Sequence, residues 1–208
     1  MTVVFDTNLA IMLIRPDAMV AKDAEGVMIS HAKERVDGLL AQLAADRTKI
    51  VIPTPVLAEV LVRSDEDERA ALIARFTRSA SFRVEAFDER AAMELADIEK
   101  TAIDGGDKRG GVQGPWTKIR FDRQIVAIAR VAGADTIYTD DGDLAKHALN
   151  RGIRTVGIGS LDIPASVAQE SFDLSIPPRR NIILDPVDIE PVDPNAPAAR
   201  SESFPEER

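Results

Sequence analysis

Short apolar runs rich in β-branched residues alternate with longer amphipathic stretches along this chain. The amphipathic stretches space their apolar residues three and four positions apart, as a helix with one buried face does. The short runs have the length and composition of buried strands, and they fall at residues 2–6, 49–53, 82–87, 136–139 and 154–159. Strands that alternate with helices predict an α/β fold, here a three-layer α/β/α sandwich with a mostly parallel, about five-stranded sheet.

Capping residues, prolines and glycines set the predicted helix boundaries. A first helix follows Asp-Thr-Asn and ends before Pro16. The other helices are predicted over residues 30–46, 56–63, 65–79, 88–103, 120–134 and 141–152. Residues 104–118 contain five glycines and a proline, which predicts a flexible loop before the helix that begins at Arg120.

Acidic residues stand where several of these elements begin or end. They are Asp6 after the first strand, Glu59 and Asp122 early in two helices, and Asp141 and Asp143 after the fourth strand. Asp122 is predicted in the first turn of its helix. Sites in parallel sheets form beyond the carboxyl ends of the strands. Carboxylates that converge there repel one another unless a cation holds them, so the pattern predicts a divalent-metal site.

Each of these acids also has a plain structural interpretation. Asp6 and Asn8 can serve only to cap the first helix, and a lone Glu59 on an amphipathic helix is usually solvated. Of the acids near the start of the last helix, Asp140 is the one expected to act as its cap. Asp122 is hardest to explain in this way, because it introduces an otherwise apolar helix.

Composition and charge remove several other chemistries. The chain has no cysteine, which excludes disulfides, thiolate zinc sites and cysteine nucleophiles. Of the net charge of -9, residues 173–208 contribute -4 (8 acids, 4 bases) and residues 1–172 contribute -5 (27 acids, 22 bases). The net charge of -5 in residues 1–172 equals in size the charge of the five carboxylates at element ends. A metal bound among them would reverse the local field. The acidity is therefore compatible with an anionic substrate.

The amino terminus and the hydropathy bear on location. MTVVFDTN lacks a basic leader, and no apolar run reaches the roughly 20 residues of a membrane span. We therefore expect a cytoplasmic protein without a membrane partner. Neither His31 nor His147 has a serine in a nucleophile motif beside it, and both are predicted to lie on the surfaces of helices.

Taken in order, the acidic motifs resemble those of the PIN-domain nucleases. Those proteins begin with an apolar strand that ends in Asp-Thr-Asn, then carry a Glu early in a helix and an Asp opening a helix rich in Ala and Ile. They finish with a strand followed by Thr-x-Asp-x-Asp-Phe. The corresponding positions here, within residues 2–157, are Asp6-Thr7-Asn8, Glu59, Asp122 and Thr139-Asp140-Asp141-Gly142-Asp143-Leu144. Leu144 stands where the family has an aromatic residue.

The resemblance implies a PIN-like fold and a metal-dependent endoribonuclease, most often the VapC-type toxin of a toxin–antitoxin pair. The catalytic residues that it implies are Asp6, Glu59, Asp122 and Asp141. Hard carboxylates suit Mg²⁺ or Mn²⁺, and the ligands expected are Asp6, Asp122, Asp141 and Asp143. Asn8 and Thr139 are expected to hydrogen-bond those carboxylates or the scissile phosphate. The partners implied are an RNA substrate, an antitoxin protein and a second copy of the chain in a homodimer.

Bases in the glycine-rich loop and its flanks are candidates for RNA contact. They are Lys108, Arg109, Lys118 and Arg120. Trp116 or Phe121 is placed to stack on an unpaired base. A solvated loop that Trp116 anchors to the core is an equally good interpretation.

Beyond residue 160 the composition changes. Residues 161–208 are rich in proline and acid, which predicts an extended or partly disordered C-terminal extension after a nuclease domain at residues 1–160. Members of the toxin group end near the last strand, so the extension departs from the resemblance. Two alternatives to a toxin follow: a stand-alone RNA-processing nuclease, and a PIN-like scaffold that binds RNA or protein with little catalysis.

Overall fold

A computed structural model describes residues 1–13, 21–23, 25–165 and 167. These residues all belong to one compact unit, residues 1–172. Most of the predicted C-terminal extension lies outside the described residues, and the domain boundary at residue 160 stays a prediction. None of the described helices combines the length and the hydropathy that crossing a membrane requires.

Five strands form one sheet in which every strand pairing is parallel. They are β1 (Thr2–Phe5), β2 (Lys49–Pro53), β3 (Phe82–Glu85), β4 (Thr136–Tyr138) and β5 (Arg154–Val156), in the order β3-β2-β1-β4-β5. On the central strand, Val4 pairs with Val51 on one side and with Ile137 on the other. The predicted five-stranded parallel sheet is confirmed.

Seven α-helices connect the strands in the described residues. They are α1 (Thr7–Met12), α2 (Ala32–Ala45), α3 (Thr54–Val62), α4 (Glu66–Arg78), α5 (Glu89–Asp104), α6 (Trp116–Val131) and α7 (Gly142–Leu149), followed by a 3₁₀ turn at Ile158–Ser160. The chain moves outward from β1 to β3, then returns past β1 to β4 and β5. Right-handed crossovers therefore put α1 to α4 on one face of the sheet and α5 to α7 on the other. This is the predicted α/β/α sandwich.

The core is centred on β1, which is covered on both faces. Val3, Val4 and Phe5 are fully buried, as strands of parallel sheets usually are. The Phe5 ring meets the edge of the Tyr138 ring on β4, with 5.5 Å between centroids. Since Asp6 directly follows Phe5, a fully buried part of the sheet positions the first acid.

Two predictions about local structure are wrong. Helix α6 begins at Trp116, one turn before the predicted start at Arg120, because Pro115 is its N-cap: the ring fixes φ at -56° and leaves no backbone N–H to be satisfied before the first helical residue. Asp122 therefore lies in the second turn of α6 and not in the first. His147 is also not a surface residue: it is buried, and burial lowers its pKa to about 4.

Candidate active site at the carboxyl edge of the sheet

A pocket of about 550 Å³ opens beyond the carboxyl ends of β1 and β4. These neighbouring strands lead to crossovers that leave in opposite directions, so the pocket stands at a topological switch point of the sheet. We call it the acid pocket. Its lining comprises Asp6, Thr7, Asn8, Glu59, Arg63, Thr117, Lys118, Phe121, Asp122, Ile125, Asp141 and Leu144.

Asp6 both caps a helix and lines the acid pocket. Its Oδ1 accepts a hydrogen bond from the Leu9 amide at 3.0 Å at the start of α1. The side chain is almost fully buried, and burial raises its pKa from 3.8 to about 7. Hydrogen bonds from Leu9 and Thr139 lower this pKa, whereas the charges of Asp140 and Asp141 raise it further. The capping interpretation is therefore correct but does not account for the cost of burying this carboxyl.

Asp122 faces the same pocket from α6. It is 4% exposed, and burial raises its pKa to about 6 in spite of a hydrogen bond and a charge from Lys118 that lower it. At neutral pH it is therefore still largely ionised, next to a cation.

That cation, Lys118, lies one helical turn before Asp122 and reaches three carboxylates. Its Nζ is 2.8 Å from Asp122 Oδ2, 2.9 Å from Asp141 Oδ2 and 3.5 Å from Asp143 Oδ2. Burial alone lowers the pKa of Lys118, but the hydrogen bonds and charges of Asp122 and Asp141 outweigh burial and raise it. Lys118, one of the four bases predicted to contact RNA, is here the counter-ion of the acids.

Asp141, rather than Asp140, caps α7. The Asp141 Oδ1 accepts hydrogen bonds from the amides of Asp143 at 2.9 Å and Leu144 at 3.2 Å. Burial raises the pKa of Asp141, but Lys118 and these amides outweigh it and the net pKa is lowered. Asp140 accepts instead from the Ile158 amide at 2.8 Å. The expectation that Asp140 caps the helix is wrong, because its carboxylate ties the end of β4 to the segment after β5.

Glu59 also lines the acid pocket and has two partners that the acidic motifs do not predict. The Thr7 hydroxyl donates to Glu59 Oε2 at 2.7 Å, and the Arg63 guanidinium pairs with Oε1 at 2.5 Å. Arg63 follows Glu59 by four residues at the end of α3, and this i,i+4 spacing is the sequence feature that could have predicted the ion pair.

Asn8 and Thr139 lie near the acids, as predicted. Asn8 lines the acid pocket. The Thr139 hydroxyl accepts from the Asp141 amide at 2.9 Å, and its hydrogen bond to Asp6 lowers the pKa of that carboxyl. Thr139 thus connects the acid after β1 with the acid after β4.

The other three predicted RNA-binding bases do not line the acid pocket. The Lys108 ammonium lies 4.4 Å from the centre of the Trp116 ring. Arg109 donates to the Gly114 carbonyl at 2.6 Å, which closes the glycine-rich loop on itself, and Arg120 pairs with Glu99 at 3.5 Å. Phe121, proposed as a stacking residue, does line the pocket.

The fit of the pocket to a divalent cation depends on Lys118. Within residues 1–13, 21–23, 25–165 and 167, no three Asp, Glu or His side chains are grouped so that they could hold a metal ion. Three carboxylates nevertheless share the Lys118 ammonium, which occupies the place that a metal cation would take. The donors are all carboxylate oxygens, the ligand type that Mg²⁺ and Mn²⁺ prefer. The type of these donors therefore suits such an ion, whereas their present arrangement is the one around the Lys118 ammonium.

Comparison with known proteins gives likeness at the level of the fold. No family model and no curated protein sequence matches the chain. Among solved structures, a chain of VapBC2 from Rickettsia felis, bound to a DNA fragment from its promoter, matches with a TM-score of 0.50 and 16% identity. A chain of DNA-bound VapBC from Salmonella typhimurium matches with a TM-score of 0.50 and 17% identity. Each comparison covers 76% of this chain and 98% of the other.

The TM-scores and coverages define the fold class of the molecule. The chain is an α/β protein with a five-stranded parallel sheet, and it shares its fold with a chain of each of the two VapBC structures. The resemblance that the acidic motifs indicate is confirmed for the fold.

Proposed function

We propose that this chain is a metal-dependent endoribonuclease that hydrolyses RNA phosphodiester bonds in the acid pocket. The observation that carries the proposal is the convergence of Asp122, Asp141 and Asp143 on one cation beside the buried Asp6. Acids from separate elements meet where the chain reverses its direction across the sheet, and Asp6, Asp122 and Asp141 each incur a desolvation cost that a cation offsets. The order of the motifs and the fold shared with VapBC structures support the same conclusion.

The residues that would hold Mg²⁺ or Mn²⁺ are Asp6, Asp122, Asp141 and Asp143. When bound, such an ion neutralises charge on the phosphoryl oxygens and activates a water. Thr139 and the Leu9 amide fix the orientation of Asp6. Thr7 and Arg63 hold the Glu59 carboxylate, whose role in this proposal is to orient the attacking water or to accept its proton.

Metal removal and one substitution test this function. Cleavage of single-stranded RNA is expected to stop in EDTA and to return with Mn²⁺. Asp122→Asn should lower the rate by about 10²- to 10³-fold, the usual cost of losing one electrostatic group in an active site. Asp104→Asn is the matched control, because Asp104 also pairs with a lysine four residues earlier but is 60% exposed. Cleavage that survives EDTA, or full activity in Asp122→Asn, would contradict the proposal.

A scaffold with little catalysis is the second candidate, and one observation favours it. Lys118 already neutralises the acids, so the fold does not require a metal in order to hold them together. RNA binding without cleavage, in the presence of Mn²⁺ and with undisturbed Asp6 and Asp122, would select the scaffold.

We propose that Lys108 and Arg109 bind the RNA backbone from the loop beside the pocket. Replacing both with Ala should weaken RNA binding and make its salt dependence shallower, by about 0.7 in log–log slope for each phosphate of a single strand that the protein no longer neutralises. Fluorescence anisotropy at several salt concentrations measures both effects. Lys33→Ala with Arg83→Ala removes two exposed bases elsewhere as a control. Equal affinities and slopes for both double variants would refute this role of the loop.

We infer an antitoxin partner and a homodimer from the resemblance to the VapC-type group, and the fold shared with chains of two VapBC structures supports the antitoxin partner. A small reading frame directly upstream is the natural source of the antitoxin. Co-expression should give a stable complex that no longer cleaves RNA, and light scattering should give the mass of a dimer. A chain that stays active in the presence of that product, or that is monomeric, lacks the corresponding partner.

A further inference from the structure

Lys118 holds an unusual position for a lysine on an amphipathic helix. Its ammonium projects from α6 into the acid pocket and touches three carboxylates from two elements. We propose that Lys118 is an internal counter-cation that occupies the cation position of the acid pocket and must leave it before a divalent ion binds. This inference rests on the proposed function, because it concerns the same carboxylates.

The contacts of the ammonium leave no room for a second cation. Lys118 uses Oδ2 of Asp122, of Asp141 and of Asp143, at 2.8 to 3.5 Å. A divalent ion needs such oxygens at about 2.0 to 2.6 Å. An ion held by the same three oxygens would have to lie where the Lys118 Nζ now lies, and overlap and charge repulsion prevent both cations from occupying that position together.

Comparison with Lys100 shows that the contacts of Lys118 are not those of an ordinary i,i+4 ion pair on a helix surface. Lys100 pairs with Asp104 on α5 at the same spacing and the same 2.8 Å, but their side chains are 74% and 60% exposed. Exposed pairs of that type contribute little. Lys118 instead meets Asp122, whose side chain is 6% exposed, together with two acids from the start of α7.

Among the described residues that line the acid pocket, no other base has the role proposed for Lys118. Arg63 is the other cation in the lining of the acid pocket, and its guanidinium pairs with Glu59 and not with the three aspartates. Removing Arg63 therefore deletes a positive charge from the pocket but leaves the cation position filled. This difference separates competition for one position from a general change of the electrostatic field.

Calorimetric titration with Mn²⁺ tests the proposal on the full chain. Lys118→Met should bind Mn²⁺ about ten- to hundredfold more tightly than the unsubstituted chain, because the ion no longer displaces a charged hydrogen-bonding group. Lys118→Gln, which keeps donors and a similar shape without the charge, should also bind more tightly. Arg63→Met should gain clearly less, and Lys100→Met should gain nothing.

The melting temperature gives a readout that does not depend on activity. Without metal, Lys118→Met should melt below the unsubstituted chain, since Asp122 and Asp141 lose their counter-ion, and saturating Mn²⁺ should remove the difference. If Lys118→Met and Lys118→Gln bind Mn²⁺ no more tightly than Arg63→Met, the inference is overturned while the proposed metal site stands. If neither the unsubstituted chain nor any of the variants binds Mn²⁺, the inference and the proposed function both fail.

Discussion

Asp6→Asn is expected to lower RNA cleavage by about 10²- to 10³-fold and, at the same time, to stabilise the metal-free protein at pH 8. The loss of cleavage follows from removing one of the four acids of the pocket. The gain in stability follows from burial, because an ionised carboxylate at 4% exposure is costly and a neutral amide is not. Asparagine also keeps the cap, since its side-chain oxygen can accept from the Leu9 amide.

The gain should depend on pH in a defined direction. Burial raises the pKa of Asp6 from 3.8 to about 7, so between these values the folded protein holds a proton that the unfolded chain releases. The stability that the Asp6 carboxyl contributes to the unsubstituted chain is therefore lost as pH rises from about 4 to 7. The difference between Asp6→Asn and the unsubstituted chain should grow over that range, by about 1.4 kcal/mol per pH unit at most, and stay constant above it.

Urea unfolding in EDTA, followed by the fluorescence of Trp116, measures this difference. His147 acts in the opposite direction between pH 4 and 6.5, since burial lowers its pKa, but it is present in both proteins and cancels. Asp88→Asn is the matched control: Asp88 caps α5 by accepting from Ala91 at 2.9 Å, but it is exposed. An Asp6→Asn protein with full cleavage, or with no more stability than Asp88→Asn gives, would contradict the assignment of Asp6.

Phe5→Ala is expected to destabilise the protein by about 3 to 5 kcal/mol. Phe5 is fully buried on the central strand and packs edge-on against Tyr138, so its removal opens a cavity where β1 and β4 meet. A natural domain is stable by only about 5 to 15 kcal/mol, so the variant should lose much of its folded population near its former melting temperature. The acid pocket should suffer as well, because Asp6 is the next residue.

Phe82→Ala provides the comparison for that loss. Phe82 is half-buried on the edge strand β3, where its ring meets Phe76 at 5.3 Å between centroids, so the cost should be clearly smaller. The two midpoints of urea unfolding measure the difference. Equal losses in both variants would mean that the sheet is not centred on β1 in the way described.

The sheet was predictable because its strands are short, apolar and separated by amphipathic helices. The start of α6 was not, because Trp116, Thr117 and Lys118 follow a run of glycines and carry no helical periodicity of their own. Nor could composition distinguish Asp140 from Asp141, since neighbouring carboxylates differ only in where the backbone directs them.

The acids of the candidate site were visible from the sequence, but their counter-ions were not. Lys118 and Arg63 each stand four residues from an acid on one helix, a spacing that occurs on many solvated surfaces as well. Only the fold shows that these two pairs line one pocket, because the approach of α3 and α6 depends on contacts between residues that are far apart in sequence.

The position of Lys118 and Asp122 on one turn of α6 has a consequence for the way in which cations exchange. No movement of a loop or domain can separate the two residues, so the ammonium leaves only by rotation of its own side-chain bonds. That side chain is 37% exposed, so it already reaches solvent from its place among the acids. The site is therefore loaded by the turning of one side chain, and the backbone that carries the acids can stay in place.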